Sequence, residues 1–343
     1  MKININRSNF LNNFWQKKPF FLKKFIKNFN DDFTAAASKK LLNSHTVDKK
    51  IFIKNSNKYT QESLSNKNLN AKINTVLFYK TNYHHRKSYE VLNLITFIPK
   101  YLIDDVMISQ STVNGSVGAH IDNYSVFLIQ GYGEKKWIIN FNNQEYIFNA
   151  KEGDLIYIPP GVQHFGIAST NNCNTYSIGF RAPDSNLIQE EFNSYVFDRL
   201  DDDDPKFFKN SIISKNLISC ETDLLDFFTS SLDYNKLITD EFIGYFLTKV
   251  DLIYFKNKKI SFQNFRYKCL TNKLILNPAS RVLFLGKNFY INGSKLLIKK
   301  NIEKSLKILF LKNQVEITDL DDISFFYDLF KKNYILFELK FSI

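Results

Sequence analysis

The chain is poor in cysteine and in long apolar runs, and each shortage removes a class of protein; glycine is scarce as well. Its 343 residues hold three cysteines, Cys173, Cys220 and Cys269, far apart from one another. Such spacing suits neither a disulfide framework nor a zinc ribbon, and it fits a reducing cytosol. No run of apolar residues is long enough to span a bilayer, and no apolar stretch near the N-terminus ends in small residues. A membrane-spanning or secreted protein is therefore not expected, and a cytoplasmic location is. No internal repeat is present, so a solenoid is not expected either.

What is abundant is lysine, asparagine, isoleucine and phenylalanine. Hydrophobic residues make up 44% and aromatic residues 16% of the chain, enough to fill sizeable cores and to exclude wholesale disorder. The formal net charge is +12, which raises nucleic-acid binding as a reading. The lysines are scattered along the chain, however, and the bias resembles compositional drift, so a solvated lysine-rich surface is the preferred reading.

Periodicity divides the chain into three parts. In the first, Phe10, Leu11, Phe14 and Trp15 fall at helical spacing behind Ser8 as an N-cap, and Pro19 ends that helix. Phe20-Phe21-Leu22 and residues 51–53 read as strands, residues 31–47 as a helix, and the polar stretch 55–72 as a loop or short helix. From Met107 to Phe180, short apolar strands alternate with turns: Asn114-Gly115-Ser116, Gly131-Tyr132-Gly133-Glu134 as a hairpin, and Asn142-Asn143. Many short strands with regular turns predict a jelly-roll barrel, a double-stranded β-helix of cupin type, rather than an α/β sheet. The second part, 196–265, is helical in pattern beyond an Asp201–Pro205 break. The third, 266–343, alternates strands and helices as a small winged-helix-like unit does. The predicted architecture is thus α+β, with a catalytic unit at 1–195.

Three residues inside the barrel segment carry chemistry. His120 and Asp122 are two apart, so on a strand they share one face. His164 follows Gly153, Pro159 and Gly161 at the spacing of the second cupin motif, in which glycine and proline shape the turn that delivers a histidine. Two imidazoles and one carboxylate leave half of an octahedral site open, as non-haem Fe(II) oxygenases require. The aspartate at 122, with no glutamate before Glu134, separates this set from cupins with three histidines and a glutamate. Open positions suit a chelating cosubstrate plus dioxygen, which points to 2-oxoglutarate. A cation is then needed for the far carboxylate. Lys135 shares a strand face with Trp137 and is the candidate, with Ser111 as a helping hydroxyl.

The stretch Gly118-Ala119-His120-Ile121-Asp122-Asn123-Tyr124-Ser125-Val126-Phe127-Leu128-Ile129-Gln130-Gly131 resembles the signature of bacterial JmjC-type ribosomal oxygenases, the arginine hydroxylases of a large-subunit ribosomal protein. Phe14-Trp15-Gln16-Lys17-Lys18-Pro19 is similar to that family's N-terminal motif, and Tyr176 to Pro183 to its last core strand. The resemblance implies His120, Asp122 and His164 as iron ligands, Lys135 where the family usually has a 2-oxoglutarate-binding arginine, Ser111 as the assisting hydroxyl and Tyr132 in the substrate channel. It implies further a helical dimerisation region, a homodimer and a C-terminal winged helix. The departures are Lys135, a point charge in place of a bidentate fork, and Thr112-Val113-Asn114-Gly115-Ser116, where the family loop is richer in proline and glycine.

The function so implied is Fe(II)- and 2-oxoglutarate-dependent hydroxylation of a ribosomal protein arginine. Asp104 and Asp105 stand close enough in sequence to meet such a cation, or are ordinary loop carboxylates. Two alternatives stay open: hydroxylation of histidine instead of arginine, and a decayed cupin that serves as a ribosome- or RNA-binding protein.

Overall fold

A computed structural model describes residues 3, 5–55, 58–62, 73–196, 222–230, 240–250, 255–317 and 320–343. The first helix, α1 (Arg7–Asn13), is capped by Asn6, whose side chain accepts from the Asn9 N–H at 3.0 Å, so Ser8 lies inside the helix instead of at its cap. An amide oxygen two positions earlier does the work expected of the hydroxyl. Beyond α1, Trp15 is buried and stacks on Tyr157, and the Gln16 N–H donates to the Tyr157 hydroxyl at 2.7 Å. The Phe14–Pro19 motif is thereby a clamp on the barrel wall.

The chain continues through β1 (Phe20–Leu22), α2 (Ala35–Leu42), β2 (Lys49–Asn55), β3 (Lys58–Glu62), β4 (Thr75–Phe78) and α3 (Arg86–Asn93). The β3 strand lies where the polar composition predicts a loop or short helix; the rest of that polar stretch, 56–57 and 63–72, falls outside the described residues. β3 is the outermost strand of its sheet. An edge strand carries polar side chains and so lacks an apolar alternation to read.

The barrel proper comprises β5 (Ile103–Ser111), β6 (Val126–Gln130), β7 (Lys135–Phe141), β8 (Gln144–Ala150), β9 (Leu155–Ile158), β10 (Gln163–Ala168) and β11 (Cys173–Phe180). One antiparallel sheet has the order β1-β9-β6-β11-β5-β4-β2-β3 and the other β10-β7-β8. Val126, Leu128, Ile156 and Ile158 of the first sheet share a core with Trp137, Ile139 and Ala150 of the second, so the two sheets pack face to face. The Gly131–Glu134 segment joins β6 to β7, which lie in different sheets. It is therefore a crossover between layers and not the hairpin its glycines suggest. Asn142 and Asn143 both have positive φ and do close a hairpin, β7 to β8, as a two-residue turn of that chirality requires.

After the barrel come α4 (Ser185–Val196), α5 (Thr222–Ser230) and α6 (Asp240–Thr248). Phe192, Phe228, Phe242 and Phe246 of these helices join the core of the large sheet. The Asp201–Pro205 break lies outside the described residues. The C-terminal segment follows as α7 (Phe262–Cys269), β12 (Leu274–Leu276), β13 (Val282–Leu285), β14 (Asn288–Ile291), β15 (Ser294–Leu296), α8 (Glu303–Lys312), β16 (Gln314–Val315), α9 (Leu320–Lys331) and β17 (Ile335–Leu336). It has a core of its own around Phe265, Leu306, Phe310, Phe326 and Ile335. Among the described residues, no helix is long and apolar enough to cross a membrane.

Candidate metal centre and its cavity

His164 stands near the start of β10, and the loop bearing His120 and Asp122 is stitched to it and to the turn before it by backbone. The His120 N–H donates to the His164 carbonyl at 3.1 Å, and the His164 N–H returns the bond at 3.0 Å. The Gly161 N–H donates to the Asp122 carbonyl at 2.8 Å. Gly161 holds φ at +75°, a left-handed conformation that side chains with a Cβ disfavour. The glycine of the second motif therefore does two things: it turns the chain toward His164 and clasps the loop that bears Asp122. His120 and Asp122 do not lie on a regular strand, as the two-residue spacing suggested; they meet through this clasp.

The side chains converge. Asp122 Oδ2 lies 3.9 Å from His120 Nε2 and 3.7 Å from His164 Nε2. All three donor atoms fall within 4.8 Å of one another, and among the described residues this is the cluster of His, Cys, Asp and Glu that could hold an ion. His120 Nδ1 is 3.1 Å from the Gly118 carbonyl and His164 Nδ1 is 3.0 Å from the Val162 carbonyl. A carbonyl only accepts, so each Nδ1 carries the proton and each Nε2 offers a lone pair toward Asp122. Burial holds the His164 imidazole below its ordinary pKa, with the charge of His120 adding to the effect. The ring is thus neutral, as a metal ligand must be, near neutral pH. Two imidazoles and a carboxylate with open space beside them are the donor set of a non-haem Fe(II) centre, and the residues present fit that ion.

The triad opens on a cavity of about 990 Å³. Its most unusual wall residue is Lys135, which is 4% exposed. The ammonium lies 3.2 Å from Ser109 Oγ and 3.5 Å from Thr175 Oγ1, and 5.1 Å over the Trp137 ring. Those partners are neutral, and burial pulls the Lys135 pKa down. Trp137 also lines the cavity, and its indole Nε1 is buried without an acceptor in reach. Among the described residues no carboxylate pairs with this buried ammonium, a costly arrangement that a carboxylate ligand would relieve.

Of the two further candidates, neither lies on this wall. Ser111 is buried against Thr75, hydroxyl to hydroxyl at 3.0 Å, while the hydroxyls beside Lys135 are Ser109 and Thr175. Ser109 is two residues earlier on the same face of β5, so the face was readable but not the depth along it. Tyr132 is 56% exposed, and its N–H donates to Asp31. The tyrosine that lines the cavity is Tyr124, together with Tyr79.

Both acidic candidates line the cavity, and Asp104 pairs with Arg281 at 2.9 Å. Asp105 lines the cavity and accepts the Lys80 N–H at 2.8 Å. Burial, with the neighbouring Asp104 charge adding, pushes its carboxyl up to about 6. The Tyr124 hydroxyl is also raised, first by burial and then by the charges of Asp122 and Asp105. The cavity therefore holds a metal triad, an uncompensated cation and a destabilised carboxylate flanked by tyrosines.

Comparison with known proteins agrees with this construction. The JmjC domain family matches residues 90–188, a stretch that contains all three ligands. A curated relative, the ribosomal protein uL16 3-hydroxylase of Escherichia coli (strain K12), is 30% identical over 224 residues, 58% of this chain and 58% of that protein. The match thus spans somewhat over half the length of that relative. Among solved structures, YcfD, a ribosomal oxygenase from Escherichia coli, superposes with a TM-score of 0.78 at 24% identity, covering 98% of this chain and 99% of that one. A second structure of YcfD, in complex with cobalt and 2-oxoglutarate, gives a TM-score of 0.77 with the same coverage. At that identity the structural likeness establishes the fold: a JmjC cupin of antiparallel sheets with helices around it.

Proposed function

We propose that the chain, which shares a JmjC fold with the bacterial ribosomal oxygenases, is an Fe(II)- and 2-oxoglutarate-dependent oxygenase that hydroxylates an arginine side chain of a large-subunit ribosomal protein. One observation carries the reading. A single cavity presents a 2-His-1-carboxylate triad, a buried lysine whose hydrogen-bond partners are neutral hydroxyls, and a half-buried carboxylate, Asp105, whose charge is disfavoured by burial and by Asp104.

His120, Asp122 and His164 hold the iron. Bound there, the metal with 2-oxoglutarate and dioxygen supplies the oxidising chemistry that puts oxygen into a C–H bond. Lys135 takes the far carboxylate of 2-oxoglutarate, and Ser109 and Thr175 orient its ammonium, so the cosubstrate is positioned before reaction. The lysine does as a point charge what an arginine would do with a planar fork. At the other demand of the cavity, Asp105 accepts from a cationic side chain, and Tyr124 and Tyr79 wall it with aromatic surface, the surroundings a guanidinium prefers. A neutral imidazole would gain less from that carboxylate, which favours arginine over histidine as target. The intact donor set speaks against a decayed site.

The proposal includes a homodimer built on the helical region 196–265, a winged helix at 266–343 and a cytoplasmic place of work. The experiment that tests its centre is incubation with Fe(II), 2-oxoglutarate and peptides of large-subunit ribosomal proteins. A product heavier by one oxygen atom on arginine, with succinate formed in step, is the expected outcome. Succinate formation without any modified peptide, or no reaction at all, would sink the assignment.

A further inference from the structure

The charge of the chain is unevenly placed. Residues 1–254 carry 29 Lys and Arg against 27 Asp and Glu, whereas residues 255–343 carry 17 against 7. Nearly all of the excess positive charge thus sits in the C-terminal segment, and the lysines are less scattered than a reading along the whole chain suggests.

Within that segment, part of the charge is gathered on the outer side of α7. Phe265 and Cys269 of this helix enter the core, which leaves Arg266, Tyr267, Lys268 and Leu270 outside. Tyr267 is 71% exposed. Lys258 and Lys259, both exposed, precede the helix on a segment that is pinned in place. The Asn257 side chain donates to the Phe330 and Ile335 carbonyls at 2.7 and 2.8 Å, and the Tyr327 hydroxyl donates to the Ile260 carbonyl at 2.8 Å. Lys268 lies 5.5 Å over the Phe337 ring. The Glu338 carboxyl is held below its usual range by the hydrogen bond from Lys340, with the charges of Lys268 and Lys258 adding. Lys340 pairs with Glu338 at 2.9 Å, and Lys258 and Lys268 act on the same carboxylate, so the face keeps a surplus of cations. Among the described residues, Asp328 on α9 is paired with Lys331 at 2.7 Å.

We propose that this face of the C-terminal segment docks a single-stranded polynucleotide, its phosphates on Lys258, Lys259, Arg266, Lys268 and Lys340 and a base stacked on Tyr267. Lysine is depleted at protein–protein contacts, whereas a basic surface with an exposed aromatic is how single strands are held without sequence preference. The backbone that carries Lys258 and Lys259 is already ordered, which lowers the cost of binding.

The full chain is titrated into a labelled single-stranded RNA of about 12 nucleotides, a length within reach of one such platform, and anisotropy is followed as salt is raised. The expected result is binding at about 0.1 M salt that weakens linearly in log–log form. The triple variant K258E/K268E/K340E weakens it more than about tenfold and flattens the slope by about 2, at roughly 0.7 for each phosphate no longer neutralised. Tyr267→Ala weakens it about fivefold, the low end for one stacked base. A charge-matched control on the other part of the chain, K23E/K39E/K58E, changes affinity less than about twofold, and thermal melts verify that every variant is folded. Absence of RNA binding, or equal losses in the control, overturns the proposal. So does competition by poly-glutamate as strong as by RNA together with an indifferent Tyr267→Ala, which would make the occupant an acidic protein. The measurement needs neither iron nor 2-oxoglutarate, so its failure and the failure of the proposed hydroxylation are separate results.

Discussion

The triad and the Lys135 wall of the same cavity are built in different ways. At the triad, the backbone does the assembly. Two reciprocal N–H to carbonyl bonds join His120 to His164, and Gly161 clasps Asp122, so the ligands converge because the loop bearing His120 and Asp122 is laced to the start of β10. At the Lys135 wall, side chains from three strands meet: Lys135 on β7, Ser109 on β5 and Thr175 on β11. One place is made by turn geometry and short-range spacing, the other by register between strands far apart in sequence. The difference predicts how each fails. Removing a triad ligand deletes the chemistry and leaves the barrel; altering the wall grades cosubstrate affinity and leaves the metal.

The largest effect should come from the triad. Asp122→Ala or His164→Ala is expected to abolish product formation and stoichiometric iron by elemental analysis, while the melting temperature of the metal-free protein stays near that of the parent. Retained iron with full activity in either variant would dissolve the distinction between the two regions.

Lys135→Met comes next and sharpens it. The KM for 2-oxoglutarate should rise on the order of 100-fold, from about 3 kcal/mol for deleting one partner of a buried charge pair, with iron content unchanged. The metal-free, cosubstrate-free protein should be as stable or more so, because replacing a desolvated, unpaired ion by an apolar side chain of similar shape is neutral to favourable. A variant that binds 2-oxoglutarate normally would show that another group holds the far carboxylate.

The contrast also explains what could be read from the amino-acid sequence. His120, Asp122, Gly161 and His164 were legible because their clasp needs fixed local spacing and particular residue types. The Asn142-Asn143 turn was legible for the same reason, as positive φ favours asparagine. Ser109 and not Ser111 stands beside Lys135; both lie on one face of β5, and only the register with β7 and β11 across the barrel tells them apart. The resemblance implies Tyr132 in the channel, whereas its segment turns outward as a crossover between sheets and Tyr124 lines the cavity. The separate roles of Asp104 and Asp105 depend on Arg281, which is distant in sequence and arrives from the C-terminal segment. Each miss involves remote strands or segments that meet only in the fold, which local pattern does not encode.

Asp105→Asn tests the cation slot that such distant pairings create. With an arginine peptide, KM should rise about tenfold, in line with roughly 1.5–3 kcal/mol for a hydrogen bond to a charged group. In the parent, kcat/KM should fall as pH drops through about 6, where the carboxyl becomes protonated, and the variant should lack that limb. The stability effect has the opposite sense. A carboxyl whose pKa is raised on folding binds a proton that the unfolded chain has already released, so its contribution favours the fold at low pH and is lost as pH rises through about 6. Above that pH the Asn variant should therefore melt no lower than the parent in the absence of substrate. A pH profile identical in both proteins would remove Asp105 from substrate binding.

The smallest effect, and the one that joins the two regions, concerns Gly166. It lies on β10, two residues past His164, and pairs in register with Trp137 on β7. A Cβ added there would stand 2.7 Å from the Trp137 ring, and its φ lies outside the left-handed range, so the obstacle is steric alone. Gly166→Ala should therefore push the indole, and with it the ring face under the Lys135 ammonium. Overpacking of this kind costs about 1–3 kcal/mol, which lowers the melting temperature by roughly 2–4 °C per kcal/mol in a domain of this size. The 2-oxoglutarate KM should rise only a few-fold and iron binding should hold, because the His120–His164 bridge is backbone and does not pass through the indole. Tryptophan fluorescence would report the shift directly. If iron were lost along with 2-oxoglutarate affinity, the triad and the lysine wall would be one mechanical unit instead of two.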